Sequence, residues 1–366
     1  METEPLKHPS AVHAAVVTAA TLLIFIVVCA PLQASLGMTG LILTELIVLA
    51  AAIAGAFVVS RLTGEPLSGF FPLKLVPPRQ LLGSILLFIG GYAAMYAVSM
   101  VMVLLIPATE QDAEALAGFI SAASPRAAFF IVAFLPSVCE EALNRGLILR
   151  CLRGSAESMF GGERVIARSV MVTAAGGLIF GLFHLDPYRF LPTAILGGVL
   201  SYICYKTGSM IPGMGLHFLN NLFALTGIAA GEAGAAGETA AALTAEEQAA
   251  LDALMAEADA LTREPKAVVG MALIMLGWAV IFMRLGQRLM KPKIRYQLPD
   301  DPTEEDFERL RAEISAARNP VAADGSRYAP GWVKSLAIIL TVMALMTIGA
   351  SLVSSVPEFM DLGSAL

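Results

Sequence analysis

The sequence predicts an all-α fold, a polytopic transmembrane helical bundle, and three observations carry that prediction. Of its 366 residues 57% are hydrophobic and only 15% are charged, and the mean hydropathy is +0.73. These values lie outside the usual range of a soluble globular domain. Apolar stretches near or above the ~20 residues needed to cross a ~30 Å hydrocarbon core also recur along nearly the whole chain.

Charge-free runs place about nine spans, at roughly 14–34, 39–60, 80–107, 127–149, 169–186, 189–205, 209–230, 267–287 and 333–356. The segment before the first span lacks the basic region and short apolar run of a cleavable signal, so that span is expected to be retained. Lys and Arg then set the orientation. The connection 61–79 carries Arg61, Lys74 and Arg79, and the one after span four carries Arg150, Arg153, Arg164 and Arg168. Lys206 marks a third inner turn, and Arg284, Arg288, Lys291, Lys293 and Arg295 mark a fourth. The opposite connections are acidic, with Glu110, Asp112 and Glu114 in one and Glu232, Glu238, Glu246, Glu247 and Asp252 in another. The positive-inside rule then predicts a cytoplasmic N-terminus and an extracytoplasmic C-terminus, in a bacterial-type inner membrane.

Composition divides the chain further. Residues 1–230 form an expected seven-span core, and the Gly/Ala-rich run 230–243 reads as a linker. Residues 231–266 hold an acidic extracytoplasmic segment with a helix opened by Thr244 and Glu247, its Leu251, Leu254, Met255 and Leu261 on one face. Residues 267–366 form a two-span extension with a cytoplasmic helix at 304–317, where Phe307, Leu310 and Ile314 recur at helical spacing. No internal repeat is visible, which weakens a secondary-transporter reading. The net charge of −6 argues against nucleic acid as a partner. Cys29, Cys139, Cys151 and Cys204 sit in or beside apolar runs and read as small buried hydrophobes without disulfides.

Polar groups inside spans are the functional signal, because an ionisable side chain near the bilayer centre costs roughly 2.5–3.5 kcal/mol. Glu140 and Glu141 fall in span four, His184 in span five, and His217 and Asn221 in span seven. Glu141 and Arg145 are four apart and can pair along the helix, while Glu140 points about 100° away from Glu141. Phe180 and His184, and likewise His217 and Asn221, each share a helix face. Taken singly, an i,i+4 ion pair, a membrane histidine or a lone asparagine is as well explained by packing. Taken together, on three spans, they indicate a functional site. Glu45, near the start of span two, is read as an interfacial residue within reach of water, and Gly197–Gly198 as a close helix contact. One tension stands out: measured from the basic connections, Glu140 lies ~15 Å deep and His184 ~24 Å, on helices that rise ~1.5 Å per residue.

The ordered motifs Glu140-Glu141-Ala-Leu-Asn-Arg145, Phe180-Gly-Leu-Phe-His184 and His217-Phe-Leu-Asn-Asn221 resemble those of the CPBP family, which contains CAAX prenyl proteases and bacteriocin-processing enzymes. The match covers about residues 127–225; Gly146 and Thr207-Gly208-Ser209 agree with it, whereas Asn144 stands where the family commonly shows an aromatic. The resemblance implies an intramembrane endopeptidase acting on a membrane-associated or lipid-modified protein or peptide. It also implies roles: Glu140 as general base, His184 holding the water, His217 and Asn221 facing the oxyanion, and Glu141 bracing the helix through Arg145. Both a glutamate and a metal mechanism have been proposed for the family. Two histidines and a carboxylate (Glu140, His184, His217) could hold zinc with an open position. The lack of an HExxH pair and the asparagine at the fourth place favour a metal-free site. The competing readings are a transporter or permease component and a non-enzymatic immunity scaffold. Transport predicts a polar track reaching both surfaces, and hydrolysis a pocket closed on one side and open to the cytoplasm or laterally to lipid.

Overall fold

The computed structural model describes residues 8–106, 124–160, 164–235, 264–290 and 331–356, with isolated positions between 244 and 308. Among the described residues there are nine long helices, as the hydropathy pattern predicts, and no strand. They are α1 (11–36), α2 (Met38–Thr63), α3 (Pro78–Leu105), α4 (125–160), α5 (Val165–Leu182), α6 (Pro187–Thr207), α7 (Ile211–Ala235), α8 (Pro265–Met290) and α9 (Gly331–Ser354). Seven of these are long and apolar enough to cross a membrane; α6 and α7 are not in that set. They carry Arg189, Lys206, His217, Asn220 and Asn221, so polar side chains dilute their hydropathy. The acidic connection at 110–114, most of the helix expected after Thr244 and most of that expected at 304–317 lie outside the described residues.

Two boundaries differ from the sequence reading, and both bear on the site. Helix α4 does not stop near residue 149 but runs on to Phe160. Beyond the last charge-free turn the pattern becomes amphipathic, burying Leu149, Cys151, Leu152 and Ala156 while Arg153 and Glu157 pair on the outside at 2.7 Å. Helix α5 begins at Val165 and ends at Leu182, so His184 falls in the turn after it instead of inside a span. Leu185 there has a positive φ of 51°, and the Asp186 side chain accepts from the Tyr188 N–H at 2.8 Å to open α6. The depth tension is thereby removed. Glu140 lies twenty residues before the end of α4 and His184 nineteen beyond the start of α5, about 30 and 28 Å at the helical rise.

The core that supports the site joins α1, α2, α4 and α5 through Val48, Ala52, Ala56, Leu143, Leu147 and Val172, with Phe70 of the α2–α3 connection inserted from below. That connection is held by the α6–α7 turn: the Ser209 hydroxyl donates to the Lys74 carbonyl at 2.5 Å, and the Met210 N–H to the Pro72 carbonyl at 2.9 Å. A Cβ on Gly146 would stand 2.8 Å from the Phe71 ring, which explains a glycine directly after Arg145. A second cluster joins α3 and α6 through Leu87, Phe88, Leu196, Leu200 and Ile203. Helix α8 packs along α3, and α9 along α8, away from the polar motifs. The four cysteines are free and buried, as expected.

Candidate active site

At the centre of the bundle is an ion pair with no access to solvent. Arg145 Nη1 lies 2.6 Å from Glu141 Oε1, and both side chains are 0% exposed. The i,i+4 spacing puts them on one face of α4, and the residues that follow, Ala142–Ile148, widen into a π-helical segment. Such segments recur at functional sites because they change the register of the side chains beyond them.

The pair reaches three other helices. Arg145 Nη2 donates to the Gly197 carbonyl of α6 at 2.9 Å, and the guanidinium lies over the Phe180 ring of α5, 4.5 Å from its centroid. A Cβ on Gly197 would stand 2.6 Å from that ring. The expected close helix contact is therefore present, and it is the gap through which arginine, ring and carbonyl meet. From α7, His217 places Nδ1 2.9 Å from Glu141 Oε1, and its ring meets Phe180 edge-on at 5.6 Å. Glu141 is thus shared between Arg145 and His217, a link that motif spacing on separate spans does not disclose.

These bonds fix what the free ends present. A carboxylate oxygen only accepts, so His217 Nδ1 carries the hydrogen and its Nε2 faces Glu140 Oε2, 3.8 Å away. His184 behaves alike: Nδ1 donates to the Phe180 carbonyl at 3.0 Å, leaving Nε2 unbound. Glu140 differs from its neighbour in exposure, with 28% of its side chain accessible against none for Glu141.

Glu140 and His184 line one cavity of about 280 Å³, together with Glu45, Thr44, Asn144 and Arg189. The Asn144 amide donates to the Glu140 carbonyl at 2.9 Å and so braces the backbone at Glu140. The structure brings together Glu140, Glu141, Arg145, His184 and His217. Asn221 lies one turn beyond His217, but its carbonyl accepts from Asn220 at 3.1 Å and it is not part of the cavity wall.

Glu45, read from the sequence as an interfacial residue, also borders the cavity, and one of its carboxylate oxygens, Oε2, is buried without a hydrogen-bond partner. The signal was available: a carboxylate eight residues into a 26-residue apolar helix needs a reason to be there. Among the described residues no group of three His, Cys, Asp or Glu side chains is placed to hold a metal ion.

The cavity walls come from the α1–α2 end of the bundle and the α5–α6 turn. A separate cavity of about 340 Å³ lies at the other end, beside Lys74, Arg150, Arg153 and Tyr205, and the two share no lining residue. Arg145 borders this second cavity and Glu140 the first.

Residues 122–223 match the family model of type II CAAX prenyl endopeptidase Rce1-like proteins. No curated protein and no solved structure matches the chain. The matched segment, which covers the second half of the bundle's core, is thus similar to CAAX-type membrane proteases, and seven helices among the described residues are long and apolar enough to cross a membrane. Helices α1, α2 and α3, with Glu45, lie outside the matched segment.

Removing one partner from the buried pair should be far worse than removing both. Arg145→Met leaves Glu141 an uncompensated buried charge, and the expected loss is roughly 3–5 kcal/mol in the unfolding free energy. The double variant E141L/R145M should recover much of that stability in a detergent-unfolding assay while remaining without proteolytic activity.

Proposed function

Starting from a membrane endopeptidase domain of the CAAX type, we propose that this chain hydrolyses a peptide bond in a membrane-associated or lipid-modified protein or peptide, with Glu140 as the base that activates water. The observation that carries this reading is the division of labour between adjacent carboxylates. Glu141 is wholly buried and held by Arg145 and His217, whereas Glu140 is partly exposed on a cavity that it shares with His184.

Hydrolysis needs a nucleophilic water, charge stabilisation at the carbonyl oxygen and a proton for the leaving amine. Glu140 removes a proton from water, and His184 Nε2, whose Nδ1 is committed to the Phe180 carbonyl, accepts a hydrogen bond from the same water. His217 presents Nε2 beside Glu140, and in its doubly protonated form it donates to the oxyanion. Asn221, one turn on, accepts from Asn220 through its side-chain oxygen and donates to the oxyanion through its amide N–H. Glu141 orients His217 as a carboxylate orients the histidine of other hydrolases. The Glu141–Arg145 pair has no access to solvent and the two cavities share no lining residue, which supports a reaction chamber over a polar track through the bundle.

The basic connections lie at the end of the bundle away from this chamber. With those connections cytoplasmic, the chamber is reached from the outer half of the bilayer. In intact spheroplasts, Leu36→Cys at the α1–α2 turn should react with a membrane-impermeant maleimide, and Leu75→Cys in the α2–α3 connection only after permeabilisation. The reverse pattern would invert the orientation.

Glu140→Gln keeps the shape of the side chain and removes the base. Cleavage of an S-prenylated CAAX-type peptide by the reconstituted protein should fall about 10²–10⁴-fold, with the thermal midpoint unchanged. Wild-type rates should also survive chelation, with no stoichiometric metal in the purified protein. An active Glu140→Gln variant would refute the assignment of the base, and a chelator-sensitive rate tracking bound zinc would refute the metal-free mechanism.

A further inference from the structure

Glu45 borders the chamber from α2, outside the segment that matches the protease family, and the mechanism above gives it no role. It lines the same cavity of about 280 Å³ as Glu140 and His184, and its Oε2 is buried with no hydrogen-bond partner. A carboxylate oxygen buried without a donor is costly to leave in place unless it exchanges a proton or meets a ligand. We infer that Glu45 is the acid of the site: in its protonated form it faces the chamber and delivers the proton that the leaving amine requires.

The inference rests on the hydrolytic reading of Glu140. The groups that face Glu45 are Glu140 and Cys139 of α4, Cys29 of α1, and His184 and Arg189 beyond α5. Two carboxyl groups line one small chamber, so one can serve as base and the other as acid. Helix α2 packs directly against the Leu135–Ile148 stretch of α4, which fixes the two carboxyls relative to each other. The α1–α2 pair is itself pinned near this point, because Gln33 Nε2 donates to Thr44 Oγ1 at 3.0 Å.

The step balances. Glu140 takes one proton from water as the hydroxide oxygen bonds to the carbonyl carbon. The C–N bond breaks, its electron pair stays on nitrogen, and that nitrogen takes the proton of Glu45. Glu45 then regains a proton from Glu140 through chamber water, and the products are a carboxylic acid and an amine with nothing else consumed.

The test compares wild type, Glu45→Gln, Glu45→Asp and Glu140→Gln as full-length chains in lipid vesicles, with an S-prenylated CAAX-type peptide as probe. Glu45→Gln should lower kcat on the order of 100-fold with KM unchanged. It should also abolish the alkaline fall in kcat, since raising pH removes the proton an acid must deliver, and Glu45→Asp should restore that limb in part. Infrared spectra of the resting protein should show the carbonyl stretch of a protonated carboxyl in wild type and its loss in Glu45→Gln. Wild-type kcat and an unaltered pH profile in Glu45→Gln, beside an inactive Glu140→Gln, would overturn the role of Glu45 while leaving the protease intact. Activity in Glu140→Gln would overturn both. If the probe is not cleaved by wild type, the infrared band decides alone, its loss supporting the inference and its persistence overturning it.

Discussion

The buried bond between Glu141 and Arg145 is the constraint around which the catalytic half of the bundle is arranged. Taking two charges out of water costs several kcal/mol per ion even after relaxation, so the pair persists only because its surroundings offset that cost. Glu141 Oε1 accepts from both Arg145 and His217, and Arg145 donates to the Gly197 carbonyl while its guanidinium rests on Phe180. Four helices meet at this cluster: α4 supplies Glu141 and Arg145, and α5, α6 and α7 supply one group each. In lipid there is no hydrophobic force between helices to choose their rotation, and polar contacts with close packing must do it.

From that constraint the chemistry follows. Because Glu141 is consumed by structure, its neighbour Glu140 is turned about a quarter-circle away and left at the cavity. Because Nδ1 of each histidine is bound, each has a single nitrogen with which to act. The offset is not complete, since Glu141 Oε2 and Arg145 Nε have no hydrogen-bond partners. A substitution anywhere in this cluster therefore touches both the fold and the site.

Much of this was legible in the sequence. Hydropathy located the nine long helices, and the expense of polar groups in lipid picked out Glu140, Glu141, His184 and His217, which the structure brings together, with Arg145 following from its spacing, and Asn221, which lies off the cavity wall. Depth was read poorly, because Arg150 was taken as the end of a helix that continues as an amphipathic segment to Phe160. The turn that holds His184 was hidden for a related reason: Leu185 and Asp186 end one helix and cap the next without a glycine to mark the break. That Glu45 borders the cavity is not legible from its distance to the interface, because which wall a helix faces depends on tertiary contacts and not on distance along the chain. The bond from His217 to Glu141 joins residues 76 apart in sequence, and no local pattern encodes it.

The central claim is that Glu141 ties Arg145 and His217 into one energetic unit. A double-mutant cycle with Arg145→Met and His217→Leu, read as unfolding free energies in lipid or detergent, measures that unit directly. A coupling of about 1 kcal/mol or more is predicted, in the range found for residues of one buried network. Effects that add to within about 0.5 kcal/mol would contradict it, because independent sites behave that way.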